Sequence, residues 1–527
     1  MNKIIGFLVT KEKKELDIDF FKSGLSTIEL FHSGYYVYLW GIGDIETYKV
    51  DNKYSLSFPL HNSLLDRNIL ISFDDSSITV QNDWLGSIPV FYNQKELIVS
   101  TLSNFCIKNK TVHDEGLANF CEFGYSVFGQ TMLEDVKFMS YNSDLIILNN
   151  EIKIQNRNDP LMDKDLFSSE TTTEDVVHLM REYIQKIEDS FDGEIVLPTS
   201  GGYDSRILNY LIKDKSRIRS FTYGTASDQS KSTEVVHAKK ISEIYNTQWE
   251  QIELRNFYEY LDQWVELYGI STHTHGMYHI EFYTKIFEKY KFKQPTFLSG
   301  IFGDIWAGSI NYEDINSFQD IIKLGYTHGL NLDLQFLNYK SKNRIKEKFF
   351  LNNKDFLEND KTKAVFTIRM KLMLISYLSQ IPEYFGMPVW TPYLNFKIVI
   401  STLNLPEEQR KGRVWQENFF NSVGLGLEKM GLASSQSNNL DFEVAKNMSF
   451  EPIDVEMMKR YISEDRLEKI NNLIESSSFY ENIKNRLLNI PKVGGILRRL
   501  GIKNNFMQAL NEYYVIKAIE KGLKYEC

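Results

Sequence analysis

Ser200-Gly201-Gly202-Tyr203-Asp204-Ser205-Arg206 follows closely on the apolar run Ile195-Val196-Leu197. That order reads as a buried strand, a glycine-rich turn and then a helix over 205–213. Two adjacent glycines let the backbone bend tightly and come close to a ligand. A helix start presents N–H groups that favour an anion. Ser200 and Ser205 add hydroxyls, and Asp204 adds a carboxylate suited to a hard cation. The spacing is not the Walker pattern, which puts four residues between its glycines and ends in Lys-Ser/Thr. The stretch therefore predicts a phosphate-binding turn of another kind. The plainer alternative is a tight strand-to-helix turn that binds nothing.

Outward from this turn the texture is α/β. Helical spacing over Val176–Ser190 precedes it. A strand over Arg219–Tyr223, a helix over Thr233–Tyr245 and a strand over Trp249–Leu254 follow. Such alternation predicts a parallel sheet covered on both faces. A second glycine turn, Ser299-Gly300-Ile301-Phe302-Gly303-Asp304, follows the apolar run Thr296-Phe297-Leu298. At the carboxyl edge of one sheet Asp204 and Asp304 could share a metal, because open α/β sheets bind ligands in a crevice there. From about residue 257 onward long helical patterns dominate. Residues 1–155 read differently: Tyr35–Trp40, Asn68–Phe73 and Leu97–Ser100 are short and rich in aromatic or β-branched residues, and 145–154 reads as a hairpin turning at Asn149-Asn150. The polar stretch Asn156–Asp175 is the linker candidate. The fold expected is α/β, with a β-rich sandwich over 1–155 and a parallel-sheet domain with a large helical C-terminal part over 176–527.

Whole-chain properties narrow the partners. A length of 527 residues suits two to four domains. The net charge of −10 disfavours nonspecific nucleic-acid binding, which depends on neutralising phosphates. Cys106, Cys121 and Cys527 are too few and too far apart for a disulfide framework or a zinc motif. No stretch approaches the ~18 consecutive apolar residues of a spanning helix. The N-terminus has no long apolar region with a small-residue cleavage site, so a cytoplasmic protein without an integral membrane segment is expected. Residues 484–503 interleave basic and apolar side chains and read as an amphipathic helix pair with snorkelling lysines and arginines. A membrane surface or an acidic partner is the alternative there.

On these motifs the chain resembles the asparagine synthetase family of N-type ATP pyrophosphatases. Ser200–Ser205 matches that family's Ser-Gly-Gly-x-Asp-Ser loop. Ser299–Asp304 loosely matches its Ser-Gly-x-Gly-x-Asp-Glu segment. Thr391-Pro392-Tyr393-Leu394-Asn395 and Leu405-Pro406 are similar to its Pro-Phe-Leu-Asp-like stretch and following Leu-Pro. Asp83, Gly86, Pro89 and Tyr92 resemble its N-terminal signature, so the likeness spans residues 1 to about 425. The resemblance implies an N-terminal domain with the Ntn glutaminase fold. It also implies a ligase domain in which Ser200, Gly201, Gly202, Asp204, Ser205, Ser299 and Gly300 hold ATP and pyrophosphate. Tyr223 would lie near the base, with Glu234 on the following helix, and Asp204 and Asp304 would hold Mg²⁺.

The departures are informative. Glutamine-hydrolysing members need a Cys directly after the initiator Met, where its freed amine acts beside the thiolate. This chain has Asn2, so an inactive glutaminase-like domain is expected, as in β-lactam synthetase and the lasso-peptide cyclases. The Glu two residues after Ser in the second motif is Ile301, the Glu after Asp304 is Ile305, and the downstream lysine falls near Trp415. Lys411 and Arg413 lie close by and are the candidates to offset charge on an adenylate. His273-Thr274-His275-Gly276-Met277-Tyr278-His279 gathers three of the nine histidines. It reads as a helix start bordering the pocket, with His275 a candidate catalytic base and a metal site or a structural role as the alternatives.

Together these features predict an ATP- and Mg²⁺-dependent, AMP-forming ligase that adenylates a carboxylate and joins it to ammonia or an amine. The carboxylate would be a small molecule, sugar-linked or part of a peptide. A tRNA-modifying ATP pyrophosphatase and a catalytically inactive scaffold are the rival readings.

Overall fold

The computed structural model describes residues 2–45, 49–50, 53–56, 63–327, 329–475, 487–488, 497 and 504–525. Most of the basic 484–503 segment, and Cys527, lie outside the described residues.

Two six-stranded antiparallel sheets use residues 3–156. The first runs β10 (Val136–Phe138), β8 (Phe91–Asn93), β9 (Ile98–Ser100), β1 (Lys3–Thr10), β3 (Tyr35–Ile42), β2 (Ser26–His32). The second runs β12 (Glu151–Asn156), β11 (Ser143–Leu148), β7 (Ser77–Asn82), β6 (Ile69–Asp74), β5 (Lys53–Ser55), β4 (Lys49–Val50). The β11–β12 hairpin turns at Asn149 and Asn150, both at positive φ. Asparagine tolerates that region better than most residues.

Apolar side chains on β1 alternate between two cores. Phe7 and Val9 join Val37, Leu39, Ile71, Val80 and Leu145 between the two sheets. Ile5 and Leu8, with Tyr38 and Trp40 of β3, join instead the large core shared with the rest of the chain. Every residue of β1 is therefore buried. One face of the first sheet packs on the second sheet, and the other packs on the helical and parallel-sheet part.

The third sheet is parallel throughout, in the order β15 (Gln248–Gln251), β14 (Ile218–Thr222), β13 (Ile195–Pro198), β16 (Thr296–Leu298), β17 (Val389–Trp390). The chain moves outward from β13 through β14 to β15, then returns to the other side of β13 for β16. The direction of winding thus reverses between β13 and β16, and that reversal opens a crevice beyond the carboxyl ends of the two strands.

The helices on this frame are α1 (Asp114–Phe123), α2 (Thr173–Ser190), α3 (Tyr203–Leu211), α4 (Thr233–Tyr245), α5 (Leu261–Tyr268), α6 (Tyr278–Lys289) and α7 (Gly303–Ala307), followed by a longer helical part ending in 505–524. Helix α2 begins a turn earlier than its apolar spacing suggests, because Thr172 and Asp175 form a capping box. The linker candidate is docked rather than free. Asp159 forms a two-pronged ion pair with Arg369, and the Thr171 N–H donates to the Asn404 carbonyl. The stretch 360–384 is apolar enough in length and composition to cross a membrane, yet 72% of its most apolar window is buried inside the protein. It is a core element that also carries Arg369, Lys371 and Glu383.

The antiparallel and parallel parts meet across a polar seam set in this apolar core. Arg67 grips Glu383 through two hydrogen bonds, of 2.7 and 2.8 Å, and Lys3 of β1 donates to the same carboxylate. The Trp84 indole donates to the Leu394 carbonyl, and Asn395 donates to Asp66. Asn104 donates to the Val265 and Glu266 carbonyls, satisfying the end of α5.

Candidate functional site

The glycine turn sits between β13 and α3, as its sequence predicts. Gly201 has φ +70°, and a Cβ there would fall 2.2 Å from the His237 Cβ of α4. Only glycine fits both demands. Ser200 and Ser205 face each other across the turn. The Ser200 N–H donates to Ser205 Oγ at 3.3 Å, and the Gly202 N–H donates to Ser200 Oγ at 3.4 Å. Gly202 is exposed, so the turn opens outward with the unpaired first-turn N–H groups of α3 behind it.

Arg206 is fully buried, and its role is structural. Its guanidinium donates to the Gly201 carbonyl at 2.6 Å, to the Leu425 carbonyl at 3.0 Å and to both oxygens of Glu428. It lies 5.0 Å from the ring centroids of Tyr203 and Phe420. The turn is thereby pinned to a segment far downstream.

The second turn, after β16, closes on the first. A Cβ on Gly300 would lie 3.1 Å from the Ser205 N. A Cβ on Gly303 would lie 2.5 Å from the Asp204 Cγ and 2.7 Å from the Tyr393 Cζ. Gly303 therefore forms the notch that admits the Asp204 carboxylate. An alanine at 303 would force the Asp204 carboxylate to move. Asp204 is half-buried, and Gln416 donates to its Oδ1 at 3.1 Å. Desolvation and the neighbouring Asp304 carboxylate push its pKa up to about 7. A second carboxylate that raises the cost of ionising the first makes a place for a cation.

The other expected residues fall as follows. The Ser299 hydroxyl accepts from the Ile301 N–H within its own turn. Arg413, at φ +63°, lays its guanidinium 5.1 Å from the Tyr203 ring and acts electrostatically on Asp204, whereas Lys411 is exposed on the same short turn. That turn is bolted to α7: the Gly412 N–H donates to the Gly308 carbonyl and the Trp415 indole to the Ala307 carbonyl. Tyr223, just beyond β14, is half-buried, with its ring 5.6 Å from Tyr278. One Glu234 carboxylate oxygen is buried without a hydrogen bond. His275 pairs with Asp441 rather than with the aspartates of the crevice. His273 and His279 are buried, and desolvation pushes each down to about 3, so both are neutral. Among the described residues no group of three or more His, Cys, Asp or Glu is arranged to hold a metal.

Three further residues meet at the site. Gln416 orients Asp204, and Tyr393 donates to the Asp204 carbonyl at 3.5 Å. Lys371 is half-buried, and burial lowers its pKa while Asp304 opposes the shift. Its ammonium makes no hydrogen bond or ion pair with any described residue. Only the Pro-Tyr-Leu-Asn stretch around Tyr393 offered a sequence signal.

No protein-family model matches the chain, and no curated protein matches it. The reading of the site therefore rests on its residues and their geometry.

Proposed function

We propose that this chain is an ATP-dependent, AMP-forming ligase that activates a carboxylate and joins it to an amine or ammonia. The observation that carries the reading is the crevice at the sheet reversal. There an anion-binding turn and a paired-aspartate notch come from adjacent strands and touch each other.

Under this reading an oxygen of the substrate carboxylate attacks the α-phosphorus of ATP. The bond to pyrophosphate breaks, and the α3 N–H groups with Ser200 and Ser205 receive the leaving anion. Asp204 and Asp304 suit Mg²⁺, which takes one or two carboxylates and fills its remaining positions with phosphate oxygens and water. When bound, that ion neutralises charge developing on the phosphates. Arg413 and Lys371 flank the crevice as the cations available to the adenylate. Lys411, on the exposed side, is the weaker candidate. The carboxylate is proposed to be a small molecule, sugar-linked or carried by a peptide.

The nitrogen would come from outside the chain. Cys106 and Cys121 are buried in the core, and burial pushes the Cys121 thiol up to about 12, which leaves it inert as a nucleophile. The two antiparallel sheets suit a glutaminase-like fold that has lost its chemistry. The acidic balance of the chain argues against a tRNA substrate.

ATP–pyrophosphate exchange against a panel of carboxylates tests the proposal. Failure of every acid, together with no Mg²⁺-dependent ATP binding, would leave an inactive scaffold. A pH dependence follows as well. Asp204 must lose its proton to ligate a metal, so Mg²⁺-dependent ATP binding should weaken about tenfold per pH unit below 7 and level off above 8. Calorimetry in buffers of different ionisation enthalpy would reveal the released proton. A flat profile from pH 5.5 to 8 would remove Asp204 from the metal site.

A further inference from the structure

One carboxylate pairs with a histidine that packs among aromatic side chains from several elements. Asp441, in the first turn of the helix Leu440–Ala445, lies 2.9 Å from Nε2 of His275. The His275 ring packs 5.4 Å from Tyr278 and 5.2 Å from Tyr514 of the last helix. Tyr258 stacks on Tyr514 at 5.7 Å and shares a hydroxyl hydrogen bond with it. Desolvation chiefly, and the Asp441 charge in addition, raise the hydroxyl pKa of Tyr223, Tyr258 and Tyr514.

The cluster is partly open to solvent instead of sealed in the core. The His275 and Asp441 side chains keep 20% and 28% of their exposure, and Tyr223, Tyr258 and Tyr278 are half-buried. Among the described residues Nδ1 of His275 has no partner, and it is not sealed from solvent. The neighbouring His273 and His279 are neutral and do not repel a cation. The start of the Asp441 helix is tied to the chain just beyond β14. The N–H groups of Asn439 and Leu440 both donate to the Thr225 carbonyl just beyond β14, and β14 is the strand next to β13, ~5 Å away.

A solvent-reachable carboxylate among aromatic faces recognises a cation. A histidine oriented by that carboxylate, with its second nitrogen free, accepts a proton. We propose that this cluster binds the amine substrate as a primary ammonium ion, held by Asp441 and the faces of Tyr223 and Tyr278, and that His275 takes its proton. The assignment rests on the ligase reading. One proton of R–NH₃⁺ passes to His275. The freed nitrogen lone pair forms the C–N bond to the acyl carbon as the C–O bond to AMP breaks and its electron pair leaves with AMP. The second nitrogen proton passes to water.

The site is testable without ATP or the unknown acid. Full-length protein carrying ¹³C-labelled histidine would be titrated with ethylammonium, ammonium or sodium chloride at equal ionic strength. The His275 resonance would be assigned by its loss in His275→Gln. Ethylammonium should shift that resonance saturably and lower its titration midpoint by roughly one pH unit, while sodium leaves it unmoved. A response to ethylammonium tighter than to ammonium identifies an organic amine, and the reverse identifies ammonia. Asp441→Asn should abolish the response with the His273 and His279 resonances in place. Tyr278→Leu, which leaves the ion pair intact, should weaken it. Equal responses to all three salts, or an unchanged response in Asp441→Asn, would reduce the pair to a latch on the last helix. Asp204→Ala should leave the ammonium response intact. If Asp204→Ala also leaves Mg²⁺-dependent ATP binding intact, the ligase reading falls while the cation site stands.

Discussion

Asp204→Ala is expected to lower ATP–pyrophosphate exchange by about 10³-fold, which corresponds to ~4 kcal/mol of barrier. The side chain is the meeting point of the crevice. It starts α3, fills the Gly303 notch, takes a hydrogen bond from Gln416 and faces Asp304. Removing it deletes the first of the proposed cation's two carboxylates and frees the Gln416 amide, which has no other role in the site. Asp204→Asn separates charge from shape. It keeps the packing against Gly303 and should lose Mg²⁺-dependent ATP affinity nearly as fully. Exchange within threefold of the native rate in both variants would show that the aspartate pair is a structural turn.

The second large effect concerns stability. Glu383→Gln should destabilise the fold by about 3–5 kcal/mol, because it removes the carboxylate charge that pairs directly with the buried Arg67 and Lys3. Their side chains are only 6% and 3% exposed, so water cannot take over the role of the carboxylate. The three groups come from β1, the segment before β6 and the helical stretch before β17, and the loss should therefore appear at the seam between antiparallel and parallel parts. Hydrogen exchange of β1 and of residues 377–384, with a denaturant midpoint as control, is the measurement. Native protection in both segments would mean that the apolar packing of Trp40, Tyr268 and Tyr384 holds the seam alone. Glu383→Met with Arg67→Met and Lys3→Met should recover most of the loss, since apolar replacements remove the desolvation cost as well as the attraction.

The sequence makes the frame legible where a short pattern carries it. The β-branched runs at Ile69–Asp74 and Ser143–Asn156, the glycine turns after β13 and β16 and the helix Thr233–Tyr245 are all visible by period and punctuation. The two-residue strand β17 is not, because Val389-Trp390 is too short to show a period and is defined only by pairing with Phe297-Leu298. Site residues divide the same way. Ser200, Gly201, Asp204 and Asp304 sit in local motifs. Gln416 and Lys371 reach the crevice from helices whose own pattern is ordinary, and Gln416 is 212 residues from the carboxylate it orients. Contacts of that separation leave no trace in a single sequence. Glu383 is similarly hidden: a lone acid in an apolar helix announces a buried partner but not which one.

The Arg206 clamp has a consequence for synthesis. Glu428, which completes it, lies 222 residues downstream. At ribosomal rates of about 5–20 residues per second the turn would emerge roughly 10–40 s before its clamp exists. During that interval the glycines are free, and the nascent chain carries the motif without the cradle. The set geometry of the turn is thus conferred late and from the far side of the molecule. A fragment ending near residue 420 would keep every motif residue yet should lack a set turn.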